Sequence, residues 1–514
     1  MGVKGVNFLI LLSVIVFPYT LQAQQVEKWK RFEVSYSNPS FSGNPFDLEF
    51  YGMFTHQGSG SILKQLGFYA GNNVWKIYFM PDKLGSWSFQ TVSSDSDLNN
   101  KSGSFQCVAS TLPGRLMPVG RRWKLEDAGT YDAPIMIPTR QWFKRTPTDQ
   151  GIFDFIVWAK DTVGARVIGT TLVYFGHGQD EVPYIKGQEG EEFNIPMWDR
   201  LNDHYDVIRD SGMGHYIMFF SDDNESPNRY GITANSQEEL RLFRYAIARF
   251  SPYPIVIWDT GIDISETRNN SWIDWFADWF NENDAWKHPV GSRSGGGSGG
   301  KNPKNATYYS DGYNSLPDHS QFVNTWNSRS KPTAFTDRWR EYYYRPSQNY
   351  WTPTRLRRAV WEIGLVGGSA VYVSGNSNSG YLDSDYATDL ESAPHFGYAA
   401  LFFRTEIKDF GNLSPHDELV ETGNAVLSAQ PGLEYVAYLP SGGSVRLNLS
   451  HASGTLTASW TNPRNGQVTV ISSVKGGGGH TFVAPSSNDW VLHVVSENVD
   501  TQPPSPPLGL RIVR

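Results

Sequence analysis

The chain has 514 residues, 39% hydrophobic and 19% charged, with a formal net charge of −8. That length exceeds what one hydrophobic core holds, so several domains are expected. The acidic balance, without any basic stripe, excludes a nucleic-acid binder.

Lys4 precedes an apolar run from Phe8 to Phe17, and Leu21-Gln22-Ala23 follows. A charged start, an apolar core and a small residue at the break describe a signal peptide over residues 1–23. The run is too short for an ordinary membrane span, and no later stretch is long and apolar enough to be one. A secreted or periplasmic protein is predicted. Residues 24–114 carry short alternating runs such as Phe32–Tyr36 and Trp75–Phe79, broken by Gly, Pro and Asn. Regular spacing of that kind predicts a β-sandwich. Cys107 is the only cysteine, which excludes an intramolecular disulfide and a Cys-based metal cluster. Its alternating surroundings predict a buried strand residue.

The texture changes over residues 115–416. Candidate strands at Pro134–Pro138, Ala165–Tyr174, His215–Phe220, Ile255–Trp258, Pro289–Ser292, Thr307–Ser310, Pro332–Thr336 and Ala370–Ser374 alternate with amphipathic segments. Those segments include Trp198–Ser211, Gln237–Phe250, Ser271–Asn281 and Thr354–Val366. The alternation predicts a (β/α)8 TIM barrel in preference to a doubly wound open sheet. Short strands return over 417–497 and predict a small second β-sandwich. Residues 498–514 form a Pro-rich tail.

Several motifs carry no chemistry here. There is no His-Glu-x-x-His. Gly295–Lys301 lacks the Ser or Thr that a phosphate-binding loop requires, and the same glycines have neither the preceding strand nor the following helix of a nucleophile elbow. Carboxylates at strand ends are more informative, because barrel strands deliver active-site groups at their C-terminal ends. Asp222, Asp223 and Glu225 follow the third candidate strand. Asp259 and Asp263 close the fourth, and Asp337 and Glu341 follow the seventh. Glycoside hydrolysis needs two such groups, one protonated to donate to the leaving oxygen and one ionised. Arg338 beside Asp337 favours ionisation if the side chains meet. The Asp222–Glu225 spacing fits no standard Ca²⁺ loop, and the reading requires no metal and no cofactor.

The fragment Tyr253-Pro254-Ile255-Val256-Ile257-Trp258, followed by Gly261 and Asp263, is similar to the fourth-strand motif of the apiosidase-like glycoside hydrolases. Lys331–Asp337 resembles their seventh-strand motif, and Arg358–Tyr372 their eighth unit. The flanks resemble an N-terminal β-domain of unknown function and a C-terminal domain labelled collagen-binding. The resemblance implies a clan A barrel, with Asp263 as general acid/base and Asp337 as nucleophile of a retaining mechanism. Ile262 stands where the family usually has Gly, and Asp337 where it usually has Glu, so Glu341 is the alternative nucleophile.

Rings and donors near strand ends are the candidate sugar contacts: Trp142, Tyr174, His177, Trp258, Arg338 and Trp339. Arg293, Arg338, Arg340 and Arg345 hint at an anionic substrate. The leading reading is an exported glycosidase acting on a plant or algal polysaccharide or oligosaccharide. The alternative is a non-catalytic carbohydrate-binding or adhesion protein on a degenerate barrel.

Overall fold

The computed structural model describes residues 24–139, 149–173, 193–220, 227–261, 264–293, 301–312, 318–336, 341, 351–372 and 390–497. Seven N-terminal strands run in the spatial order Gln25–Glu27, Ser102–Val108, Gly85–Ser93, Phe50–His56, Ile62–Tyr69, Val74–Phe79 and Phe32–Ser37. Alternate residues of Phe50–His56 are buried, as period-two side-chain direction demands. The buried set is aromatic: Phe54 stacks on Phe79 with centroids 3.8 Å apart, and Phe32 on Phe105 at 4.1 Å. Cys107 is buried among them, and burial pushes its thiol up to about 11, which leaves it inert.

Eight parallel strands form the central barrel: β1 Ile135–Thr139, β2 Ala165–Val173, β3 Gly214–Phe220, β4 Val256–Gly261, β5 Val290–Gly291, β6 Tyr309–Gly312, β7 Thr333–Thr336 and β8 Ser369–Val371. Pairing runs in sequence order, and β8 returns to β1 through Ile135 opposite Ala370. The Thr307 amide donates to the Val290 carbonyl at 2.9 Å and joins β5 to the segment entering β6. Helices α1 Asp149–Asp161, α2 Ile195–Asp210, α3 Gln237–Phe250, α4 Asn270–Asn283, α5 His319–Ser328, α6 Pro353–Val366 and α7 Ala393–Thr405 lie between and after the strands. None of the described helices is long and apolar enough to cross a membrane.

Strand parity sorts the barrel side chains into two layers. Met136, Val167, Tyr216, Met218, Ile257, Ala334 and Val371 share an inner cluster, while Ile168, Ile217, Val256, Trp258 and Phe335 pack outward among the helices. A small antiparallel sheet, Leu116–Val119, Arg122–Leu125 and Tyr131–Asp132, precedes β1. It adds Leu116, Trp123 and Leu125 to the inner cluster and so plugs the N-terminal end of the barrel. Asp132 seals the rim of that plug by accepting from Arg166 Nε at 2.6 Å and Arg404 Nε at 2.9 Å.

The C-terminal region sets a six-stranded sheet against a three-stranded one, with Leu427, Leu447 and Trp460 in their shared core. Both flanking regions are fastened to the barrel by buried polar contacts. Trp286, in the segment between α4 and β5, enters the N-terminal core and donates its indole N–H to the Met80 carbonyl at 3.1 Å. Asp489 of the C-terminal region accepts from Arg357 of α6 at 2.8 Å, and also from Tyr438 and Arg464.

Candidate active site

The C-terminal strand ends define the mouth of the barrel. β4 ends at Gly261 and β7 at Thr336, so Asp263 and Asp337 follow within two residues of a strand end. Tyr174 directly follows β2. Asp263, Asp337, Trp142, Tyr174, His177, Arg338 and Trp339 all lie outside the described residues, as do Asp222–Glu225, Arg340 and Arg345.

Asp259 is the buried centre beneath this rim, on the inward parity of β4 with Ile257. Its Oδ2 accepts from the Tyr216 hydroxyl at 2.8 Å and the Tyr308 hydroxyl at 2.6 Å. Its Oδ1 accepts from the backbone amides of Gly261 at 2.8 Å and Arg293 at 3.0 Å. A carboxylate offers about four lone-pair sites, and four donors fill them. They come from β3, β4, the end of β5 and the residue before β6. Burial pushes the Asp259 carboxyl above its ordinary range, and the four hydrogen bonds pull against that rise. Both tyrosines are held well above the ordinary phenol range, first by burial and then by the Asp259 charge. The sequence reading noted Asp259 but gave it no role. The signal was present: two steps from Ile257, it is an acid on the lumen-facing parity of an apolar strand.

Gly261 is required for a backbone reason. Its φ is +119°, and a Cβ there would overlap the Phe220 carbonyl on β3. Only glycine adopts that conformation readily at so close an approach. With its amide tied to Asp259, Gly261 fixes how the chain leaves β4 toward Asp263. Beside it, the Thr260 and Ser292 hydroxyls meet at 2.6 Å and lock β4 to β5 at the same level.

Two expected site residues, Trp258 and Glu341, are buried with partners inside the fold. Trp258 is fully buried on the outward face of β4, against Phe280 at 5.0 Å, and its indole donates to Asp284 at 2.8 Å. A ring enclosed between strand and helix presents no face to a sugar. Glu341 is buried, and its Oε2 accepts from the Ser392 amide at 2.7 Å and the Ser392 hydroxyl at 2.6 Å. Ser392 is the N-cap of α7 and makes no side-chain cap of its own. Glu341 therefore answers the open amide at the start of that helix. Arg293, expected to make the mouth basic, is itself buried. Among the described residues no group of three or more His, Cys, Asp or Glu side chains could hold a metal ion.

The architecture is similar to that of a "putative glycoside hydrolase" from Bacteroides vulgatus ATCC 8482, with a TM-score of 0.74 at 16% identity over 92% of this chain and 99% of that one. A glycoside hydrolase family 5 structure from the same organism matches with a TM-score of 0.60 at 16% identity, over 76% of this chain and 95% of its own. The chain shares the fold of solved glycoside hydrolases. Residues 25–94 match a domain of unknown function, DUF5060, and residues 417–495 match the "Putative collagen-binding domain of a collagenase". No curated protein sequence matches the chain.

Proposed function

We propose that this chain is an exported glycoside hydrolase that cleaves a plant or algal polysaccharide or oligosaccharide with Asp263 as general acid/base and Asp337 as nucleophile. Residues 1–23 are its signal peptide, and the catalytic barrel covers residues 115–416. One observation carries the reading. The fourth and seventh strands of an eight-stranded barrel end at Gly261 and Thr336, within two residues of the two acids. The likeness to solved glycoside hydrolases supports the same chemistry.

The division of labour follows from charge. The donor must hold its proton near neutral pH, and the nucleophile must be ionised. Any negative charge on Asp259, four residues earlier on the same strand, would oppose a second one on Asp263 and so favour its protonated form. Asp337 is followed by Arg338, a charge that favours its ionised form. Attack by Asp337 on the anomeric carbon, with proton transfer from Asp263 to the departing oxygen, leaves a glycosyl-enzyme. Water activated by Asp263 then releases the sugar with retained configuration.

The test is a panel of plant and algal polysaccharides scored for new reducing ends. Asp263→Ala and Asp337→Ala are each expected to lower the rate by about 10²-fold or more on the substrate the native enzyme cleaves. Full activity in either variant sinks that residue's assignment, and an inverted anomer in the first product sinks retention.

A further inference from the structure

We propose a second carbohydrate-binding position, selective for an uncharged sugar, in the cleft between the amino ends of α3 and α4; the proposal rests on the reading that the substrate is a saccharide. The cleft has a volume of about 460 Å³, within the range of small-ligand sites. One wall is Ala234 and Asn235, from the segment leading from β3 into α3. The other is Thr267, Asn269 and Ser271, from the segment leading from β4 into α4. Both segments belong to the mouth end of the barrel, on the side of Asp263, so a saccharide longer than the catalytic position accommodates can reach the cleft.

Trp275 supplies the platform. It lines the cleft and is only partly buried. It is backed by Phe243 at 5.8 Å and Trp272 at 6.3 Å, and Trp272 is itself pinned by its indole N–H to Glu239 at 2.9 Å. An indole held from behind and open in front suits the C–H face of a pyranose. This is what Trp258 is not, since Trp258 is enclosed on both faces.

The polar rim is also held in place. The Asn235 amide donates to Glu239 at 2.6 Å, and φ there is +60°, so its exposed side chain projects from a fixed backbone. Asn269 Oδ1 accepts from the Trp272 amide at 2.9 Å, which turns its Nδ2 group away from that bond. These amides and the exposed Ser271 hydroxyl match sugar hydroxyls.

Selection against charge follows from the floor. Arg268 lines the cleft, but its guanidinium is spent on Glu239 at 3.0 and 3.2 Å and on the Ile232 carbonyl at 2.8 Å. The two helix ends are already capped by Ser236 and Asn269, and Glu238 and Glu239 occupy the first turn of α3. Among the described residues lining the cleft, no cation is left for a carboxylate or sulfate group.

The experiment is affinity electrophoresis of the full chain through gels containing neutral glucomannan, xyloglucan or mixed-linkage β-glucan, and anionic alginate or polygalacturonate. Retardation is expected in at least one neutral gel, with an apparent Kd raised about tenfold in Trp275→Ala. Asn235→Gly keeps the positive φ and removes the amide, and it is expected to weaken retardation in the same gel. It decides the matter if the tryptophan variant does not fold. Retardation unchanged in both variants, confined to anionic gels, or absent from every gel overturns the proposal. Retardation that Asp263→Ala keeps and Trp275→Ala loses upholds the cleft even if no bond is cleaved. Cleavage without Trp275-dependent retardation overturns the cleft and leaves the glycosidase reading standing.

Discussion

The two ends of the barrel each bury an aspartate, and they treat it in opposite ways. At the plugged end, burial would raise the Asp132 carboxyl, but Arg404 and Arg166 hold it below its ordinary range. At the mouth, the partners of Asp259 among the described residues are two phenols and two amides, and burial wins. Full ion pairing at the plug stabilises a finished structure. A carboxyl held by neutral dipoles keeps, when ionised, a field that a cation would have cancelled. On the proposed function, the difference separates a seal from a support for chemistry.

The largest expected effect breaks the seal. Asp132→Ala leaves two part-buried guanidinium groups without their buried carboxylate, and loss of one member of a buried pair costs about 3–5 kcal/mol, an upper bound here. Urea unfolding at a series of pH values measures it. Because the folded pKa is lowered, the Asp132 contribution is present above about pH 4 and is lost as the pH falls through the folded value. The deficit of the variant is therefore expected to shrink in acid, and a deficit that does not change with pH would remove the ion pair as its cause.

At the mouth, Gly261→Ala comes next. A methyl at this φ of +119° meets the Phe220 carbonyl, and strained backbone of this kind costs about 1–3 kcal/mol. Activity is expected to fall far more than stability, because the exit path toward Asp263 moves. A variant as destabilised as expected but fully active on the native enzyme's substrate would detach Gly261 from the site.

Much of this frame was legible in the sequence. Helix α3 matches its expected span, because Ser236 caps it through the Glu239 amide and its apolar face repeats cleanly. Each of the eight expected strands coincides with a real one to within a few residues. Strand β4 runs on through Asp259 and Thr260 to Gly261, past the Trp258 where the apolar run stops. These polar residues stay in the strand because each finds a partner, Asp259 in the lumen and Thr260 at Ser292. Helices α1, α5 and α7 were not foreseen. Phe322 is the only buried residue of α5, so its stripe is too thin to read. α7 buries one broad face, but Tyr398 and Leu401 make its other side apolar too, so it shows little periodicity. Most of the chain's tryptophan is core: Trp29, Trp75, Trp87, Trp123, Trp198, Trp286 and Trp361 are fully buried.

Trp258 sharpens that last point. Trp258→Phe loses the hydrogen bond to Asp284 and part of a close-packed ring, and is expected to cost about 2 kcal/mol. Asp284 keeps its bonds from His288 and the Trp286 amide, so it is not orphaned. KM is expected to stay at the native value. A raised KM in a variant of native-like stability would return Trp258 to the substrate and undo the core assignment.

The smallest effect on stability, and the most specific, comes from Asp259→Asn. The Asn Oδ1 still accepts from Gly261 and Arg293, while its Nδ2 faces the two phenols, which must turn to accept. The net cost is about 1 kcal/mol where the native carboxyl is protonated. Asp259 has a raised folded pKa, so its sign is opposite to that of Asp132. Native stability falls as the pH rises through the interval above the ordinary carboxyl value. The variant carries no such ionisation, so its deficit is expected to narrow toward neutral pH, the reverse of the Asp132 series. Its rate profile tests the support role directly. With the negative charge beneath β4 removed, Asp263 gives up its proton more readily, and the alkaline limb of kcat is expected to move to lower pH. If that limb stays where it was, Asp259 shapes the mouth without tuning its acid, and the contrast between the two ends reduces to one of packing.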